Sequence, residues 1–137
     1  MRVAVIFFSA GKRSQLIEVS KGLVRGIETQ GHQVDLIDGA KDIGKKLTAY
    51  QYIIFGTESM GFFGKISNNI SRFLSQAGMV GGKKCSAFVI KAFVGAQKAL
   101  LTLMRTMEHE GMYLVFSDVF DNIAHAEAIG KKIHIFK

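Results

Sequence analysis

Five short apolar runs, rich in Val, Ile, Phe and Tyr, recur along the 137 residues with longer segments between them. They span residues 2–8, 33–38, 51–57, 84–91 and 112–117. Strands that are apolar on both faces and alternate with helices are typical of parallel βαβ units. The alternation therefore predicts an α/β domain with a parallel five-stranded sheet and helices on both of its faces.

Three of the connecting segments repeat apolar residues at the spacing of one helix face. These residues are Leu16, Leu23, Val24 and Ile27, then Ile66, Ile70, Phe73, Leu74 and Ala77, and finally Ala96, Leu100, Leu103, Met104 and Met107. Gly31, Gly78 and Gly111 follow the segments, and glycine commonly ends a helix. We expect three helices that pack on the sheet, whereas the short, charged segment 39–50 predicts a loop with a single turn.

The last part of the chain supports more than one interpretation. Residues 122–130 are typical of a helix, while Ile133, His134 and Ile135 alternate like a strand. The pattern is compatible with three arrangements: this end extends the sheet, packs on it, or meets another chain.

Length and composition predict a single domain over residues 1–137. A hydrophobic fraction of 48% argues against disorder, and no apolar run approaches the roughly 18 residues that a membrane span requires. Cys85 is the single cysteine and lies in an apolar run, so we expect a buried, unreactive thiol and no disulfide. These features, and an N-terminal run too short for a signal peptide, predict a cytoplasmic protein.

Charge and motifs exclude several classes of function. The net charge of +7 comes from dispersed Lys and Arg pairs, and the aromatic residues do not interleave with them, which argues against nucleic-acid binding. Residues 39–45 fit a P-loop, but Lys46 stands where a hydroxyl must meet magnesium. The four histidines are scattered and no nucleophile elbow is present, so we expect neither a metal site nor catalytic side chains of this kind.

A hydroxyl-rich loop follows the first predicted strand and leads directly into the first helix. A helix N-terminus exposes unpaired backbone N–H groups and carries partial positive charge, so this loop predicts a phosphate-binding site. Its donors would be the Ser9 and Ser14 hydroxyls, the N–H groups of residues 10–14, and the Lys12 or Arg13 side chain.

Ligands of an open parallel sheet bind beyond the carboxyl ends of its strands. That rule predicts that three loops meet, at residues 9–14, 57–64 and 91–97. The first offers a phosphate site, and the other two offer aromatic side chains and glycines that allow close approach to a flat ring.

Over essentially its whole length the chain resembles the flavodoxin-like family. Ser9 and Ser14 match the outer hydroxyls of that family's loop Ser/Thr-x-Thr-Gly-x-Thr, which wraps the phosphate of flavin mononucleotide (FMN). Residues 55–57 and 62–65 resemble its third-strand region. Two features depart from the family: Gly11-Lys12 replaces the central Thr-Gly, and the loop after the fourth strand is not rich in glycine or tyrosine, as it usually is in the family.

The resemblance implies a three-layer open sandwich with strand order 2-1-3-4-5 and FMN as the cofactor. It assigns the phosphate to residues Ser9, Ala10, Gly11, Lys12, Arg13 and Ser14. It assigns the ring to residues Thr57, Glu58, Ser59, Met60, Gly61, Phe62, Lys91 and Phe93. Among these, Met60, Phe62 and Phe93 are expected to contact the ring face or edge.

The implied function is FMN-dependent electron transfer, by a carrier or by a small oxidoreductase. Because flavodoxins are typically acidic and this chain is basic, we expect Lys91 and the positive field to stabilise the anionic reduced flavin. The same charge predicts an acidic redox partner or a small anionic substrate.

The alternative is a flavodoxin-like domain without flavin that acts as an interaction or regulatory module. A receiver-like phosphoacceptor is disfavoured, because Ser9-Ala10-Gly11 stands where its acidic cluster belongs.

Overall fold

The computed structural model describes residues 1–9, 13–60, 64–92 and 94–135, apart from the side chain of Arg13. In that part of the chain, the elements are β1 (Arg2–Phe8), α1 (Arg13–Glu28), β2 (Gln33–Asp38), β3 (Tyr52–Thr57), α2 (Asn69–Gln76), β4 (Lys84–Ile90), α3 (Ala96–His109), β5 (Tyr113–Phe120) and α4 (Ile123–Lys132). The first four predicted strands agree with these bounds to within one residue, and β5 runs further than predicted, to Phe120.

The strands form one parallel sheet in the order β2-β1-β3-β4-β5, which confirms the predicted topology. Val5 of β1 is paired with Leu36 of β2 on one side and with Ile54 of β3 on the other. The chain therefore passes from β2 across β1 to β3, and the strand order reverses between β1 and β3.

Alternate residues of the strands fill two separate cores. On one face, Phe8 and Phe55 of the strands meet Phe73 of α2 edge to face, with ring centroids 5.4 to 6.0 Å apart, in a core that α3 also covers. On the other face, Leu16 and Leu23 of α1 pack with the strands in a core that α4 also covers. The strands are thus apolar on both faces, as the sequence predicts.

Two local features refine the sequence-based picture. Helix α2 begins only at Asn69, so Ile66 is buried in the preceding loop and does not belong to the helix. Segment 39–50 contains turns and neither helix nor strand, as predicted.

Residues 133–135, the last that the structure describes, pack on the sheet without joining it. Ile133 and Ile135 follow α4 and are buried in the core beneath α1 and α4, where Tyr52 of β3 also lies. The alternation of these two residues therefore comes from packing on a sheet face, and the described part of this end does not extend the sheet.

Two further expectations concern the reactivity of Cys85 and membrane-spanning helices. Cys85 is a free, fully buried cysteine, and burial raises the pKa of its thiol to about 12, which makes it a poor nucleophile. Within the described ranges, no helix combines the length and the apolar character that crossing a membrane requires.

Helices α1 and α4 approach each other through glycines. A Cβ atom built on Gly26 would lie 2.3 Å from the carbonyl oxygen of Glu127 and 2.9 Å from the Cα of Gly130. Beside this crossing, Arg25 Nε donates to Glu127 Oε1 at 3.0 Å, and Gln30 Nε2 donates to the Gly130 carbonyl at 2.7 Å. The two backbones are therefore in direct contact, and a side chain at position 26 has no room.

We predict that Gly26→Ala lowers the free energy of unfolding by about 2 kcal/mol, because the added methyl group must push two helix backbones apart. Helix propensity alone would give the opposite sign, since alanine in a helix is favoured over glycine by about 1 kcal/mol. Urea denaturation followed by circular dichroism measures the difference.

Gly81→Ala is the matched control, because nothing lies within 4 Å of its added Cβ and its φ angle is not positive. It should leave stability unchanged or slightly higher. A Gly26→Ala protein as stable as the wild type would contradict close backbone contact at the crossing.

Candidate functional site

The carboxyl ends of β1 and β3 are joined by a buried side-chain hydrogen bond. Phe8 and Thr57 are paired in the sheet, and Thr57 Oγ1 donates to the Phe8 carbonyl oxygen at 2.7 Å. Thr57 is completely buried. Its hydroxyl therefore holds together the starts of the two loops that the sequence predicts to meet.

The residues that follow Phe8 and Thr57 also form a hydrogen bond with each other. Ser9 Oγ donates to Glu58 Oε1 at 3.4 Å, a long hydrogen bond between a half-buried hydroxyl and a carboxyl group. Glu58 is only 3% exposed, so a carboxyl group is buried at the sheet edge that the sequence assigns to the ligand.

The loop after β3 closes on itself and rests on α3. The Met60 N–H donates to the Lys65 carbonyl oxygen at 2.8 Å, while the Met60 side chain is 40% exposed. Gly64 has a φ of +77°, and a Cβ there would lie 2.7 Å from the Cβ of Lys98. Both its conformation and its neighbour therefore require glycine, and the loop is placed against the first turn of α3.

The described part of the loop after β4 presents a cation at the same edge. The Lys91 N–H donates to the Phe120 carbonyl oxygen at 2.8 Å, which fixes the backbone where β4 ends, and its side chain is exposed. Lys65 and Lys98 are exposed as well, on the neighbouring loop and helix. Three exposed lysines thus lie on the two loops and the helix start at this edge.

The helices add positive partial charge at this edge. All strands are parallel, so each helix that follows a strand begins at the carboxyl edge of the sheet. None of the four described helices has an acidic residue in its first turn. Their partial positive charges therefore have no carboxylate of their own first turns to balance them.

The structure brings together part of the predicted site. Ser9, Thr57 and Glu58 are linked by the hydrogen bonds above, Ser59, Met60 and Lys91 lie at the same edge, and Ser14 is exposed in the first turn of α1. Six predicted residues lie outside the described residues: Ala10, Gly11, Lys12, Gly61, Phe62 and Phe93. Arg13 is described only as the first residue of α1. The contacts of all these residues with a ligand stay predictions.

Sequence reasoning missed Lys65 and Lys98 as members of this edge. A signal was present for Lys98, because a cation in the first turn of a helix opposes the helix dipole and is unfavourable without a nearby anion. In the described ranges, no three His, Cys, Asp or Glu side chains are grouped so that they could hold a metal ion.

Solved structures match the chain along nearly its full length. A flavodoxin from the domain Archaea superposes with a TM-score of 0.75 at 16% sequence identity, covering 96% of this chain and 95% of that one. The oxidised Flavodoxin 1 from Bacillus cereus gives 0.70 at 16% identity, with 93% and 94% covered. The fold of this chain is flavodoxin-like.

The flavodoxin-like fold also occurs inside a longer protein that matches. The flavodiiron core from Synechocystis gives a TM-score of 0.71 at 20% identity, covering 96% of this chain and 34% of that one. Neither a protein-family model nor a curated protein sequence matches the chain significantly. At these identities the likeness establishes the architecture, and function has to be argued from the residues at the edge.

We predict that Thr57→Val lowers the free energy of unfolding by about 1–2 kcal/mol, because it removes a buried donor from the Phe8 carbonyl while keeping the shape of the side chain. Thr102→Val is the matched control, since the Thr102 hydroxyl donates to the Lys98 carbonyl at 2.9 Å on an exposed helix surface. Its effect should stay within about 0.5 kcal/mol. Equal effects of the two substitutions in urea denaturation would refute the role of Thr57 in joining the loops.

Proposed function

We propose that this flavodoxin-like domain binds FMN at the carboxyl edge of β1, β3 and β4 and acts in electron transfer, as a carrier or as a small FMN-dependent oxidoreductase. The observation that carries the proposal is the junction of the first and third loops through Thr57 and Ser9. This junction lies where the strand order reverses, which is where open α/β sheets bind their ligands.

The residues on the phosphate side fit an oxyanion. Ser9 and Ser14 supply hydroxyls on either side of the loop, and the first turn of α1 supplies backbone N–H groups with the positive end of a helix of 16 residues. The absence of acidic residues from that turn favours an anionic ligand.

The residues on the ring side fit a flat apolar group with a polar rim. Met60 exposes a flexible, polarizable side chain, and sulfur makes favourable contacts with aromatic rings. Ser59 and Lys91 offer polar groups on the loops that follow β3 and β4. When bound, FMN would supply the electron or hydride chemistry, while these residues hold the ring and Lys91 stabilises negative charge on its reduced form.

Titration with FMN tests the proposal. We expect the protein to quench flavin fluorescence with one-to-one stoichiometry, and Met60→Gln to weaken binding by about fivefold, or ~1 kcal/mol, because an apolar contact with the ring is lost. Met79→Gln is the matched control: Met79 is 82% exposed but lies before β4, at the opposite edge of the sheet, and should leave the dissociation constant unchanged.

A protein that leaves the absorption and fluorescence of FMN unchanged would contradict the proposal. That result would favour the alternative in which the domain has lost flavin binding and acts as an interaction or regulatory module. An equal loss of affinity in both methionine variants would place the ring away from Met60.

We further propose that the redox partner is acidic. Lys65, Lys91 and Lys98 are exposed on the loops and helix at this edge, and the N-terminus of α3, which has no acidic residue in its first turn, adds to their field. A positive edge of this kind attracts an acidic protein surface or a small anionic substrate and accelerates encounter with it.

Oxidation of the reduced, FMN-loaded protein by small charged oxidants tests this preference. We expect the second-order rate constant with ferricyanide, an anion, to fall as salt is added, and the constant with hexaammineruthenium(III), a cation, to rise. The double variant Lys91→Glu, Lys98→Glu should slow ferricyanide by about tenfold at low salt. The double variant Lys131→Glu, Lys132→Glu is the control, because it makes the same change of net charge at the far end of α4. An equal effect there would show that only the net charge of the protein matters.

A further inference from the structure

Glu58 is the one acidic residue in the third-loop segment 57–60, and it is buried at an edge that also carries the exposed Lys65, Lys91 and Lys98. Its side chain is 3% exposed, and Ser9 is one of its hydrogen-bond partners, at 3.4 Å. Burying a carboxylate is unfavourable unless hydrogen bonds or positive charge compensate for the lost hydration. A source of positive charge follows closely in the sequence, because Ser9 is the first residue of the segment that leads to the N-terminus of α1.

The same groups would bind a phosphate. The Ser9 hydroxyl has a single proton to donate, and in this structure it is directed to Glu58. A phosphate that takes this donor must displace the carboxylate from it, and the two anions then repel each other, with Glu58 only 3% exposed to the water that would screen them. An internal anion and the ligand phosphate therefore compete for one donor.

We propose that Glu58 is the internal counter-anion of the phosphate site, and that its competition with the ligand phosphate sets how strongly the domain discriminates between phosphorylated and unphosphorylated flavins. This inference rests on the proposed function. It assigns to Glu58 a role in specificity that is separate from any contact with the ring.

The competition has a specific consequence for ligand choice. Riboflavin carries the same ring and ribityl chain as FMN but lacks the phosphate, so the charge of Glu58 does not oppose it. Removing that charge while keeping a hydrogen-bond acceptor should therefore strengthen FMN binding and leave riboflavin binding nearly unchanged. If Glu58 had a purely structural role, its substitution would weaken the binding of FMN and of riboflavin alike.

Fluorescence titrations of Glu58→Gln with FMN and with riboflavin measure this difference. We expect the dissociation constant for FMN to fall by about tenfold or more, equivalent to ~1.4 kcal/mol, and that for riboflavin to change by less than about twofold. Glu18→Gln is the matched control, since it removes one carboxylate from the exposed surface of α1. Glu58→Asp retains the charge and should keep the preference of the wild type.

Inorganic phosphate provides a readout without flavin. At constant ionic strength, phosphate should raise the melting temperature of flavin-free Glu58→Gln by several degrees more than that of the wild type or of Glu18→Gln. If none of the proteins binds flavin but this difference appears, the proposed function fails and the assignment of Glu58 stands for phosphate alone.

Three results would overturn the inference. They are unchanged or weaker FMN binding by folded Glu58→Gln, equal tightening of FMN and riboflavin, and a phosphate effect that does not depend on position 58. If Glu58→Gln fails to fold, Glu58→Ser takes its place, because a small neutral side chain also removes the competing charge. The first two results would leave FMN binding by the wild type intact, so failure of the inference is distinguishable from failure of the proposed function.

Discussion

The central constraint on this molecule is the burial of β1 on both faces. Residues Val3 to Phe8 are each no more than 5% exposed, with β2 and β3 paired on either side. A strand buried in this way needs helices above and below it, and parallel neighbours require crossover connections. Those connections place the start of each following helix at one edge of the sheet. The position of the site and the positive charge of its edge both follow from this arrangement.

The two helical layers meet that constraint in different ways. On one face, aromatic rings of Phe8, Phe55 and Phe73 fill the space beneath α2 and α3. On the other, α1 and α4 touch through Gly26 and Gly130, so the layer is closed by backbone contact. Large residues can therefore be exchanged for others of similar volume on the first face, whereas the second depends on the absence of a side chain.

Groups of opposite charge lie at the same edge of the sheet. Helix N-termini and Lys65, Lys91 and Lys98 make the edge attractive to anions, while Glu58 places one anion inside it. An edge that was positive throughout would bind phosphates and acidic surfaces with little discrimination. The carboxyl group of Glu58, buried and hydrogen-bonded to Ser9, is where our proposal places the selection between anionic ligands.

By itself the sequence determined the α/β class, the four helical segments and the loops that form the edge, because apolar periodicity is a local property that a chain reveals without its partners. Strand order came from the resemblance to a family and was confirmed by the sheet. Only the tertiary structure decided that Ile133 and Ile135 pack on a sheet face, that Thr57 turns its hydroxyl to Phe8, and that Glu58 is buried against Ser9. Those facts depend on contacts between residues that are far apart in the sequence. Ser9 and Glu58 are 49 positions apart, as are Phe8 and Thr57, and no local pattern predicts such contacts.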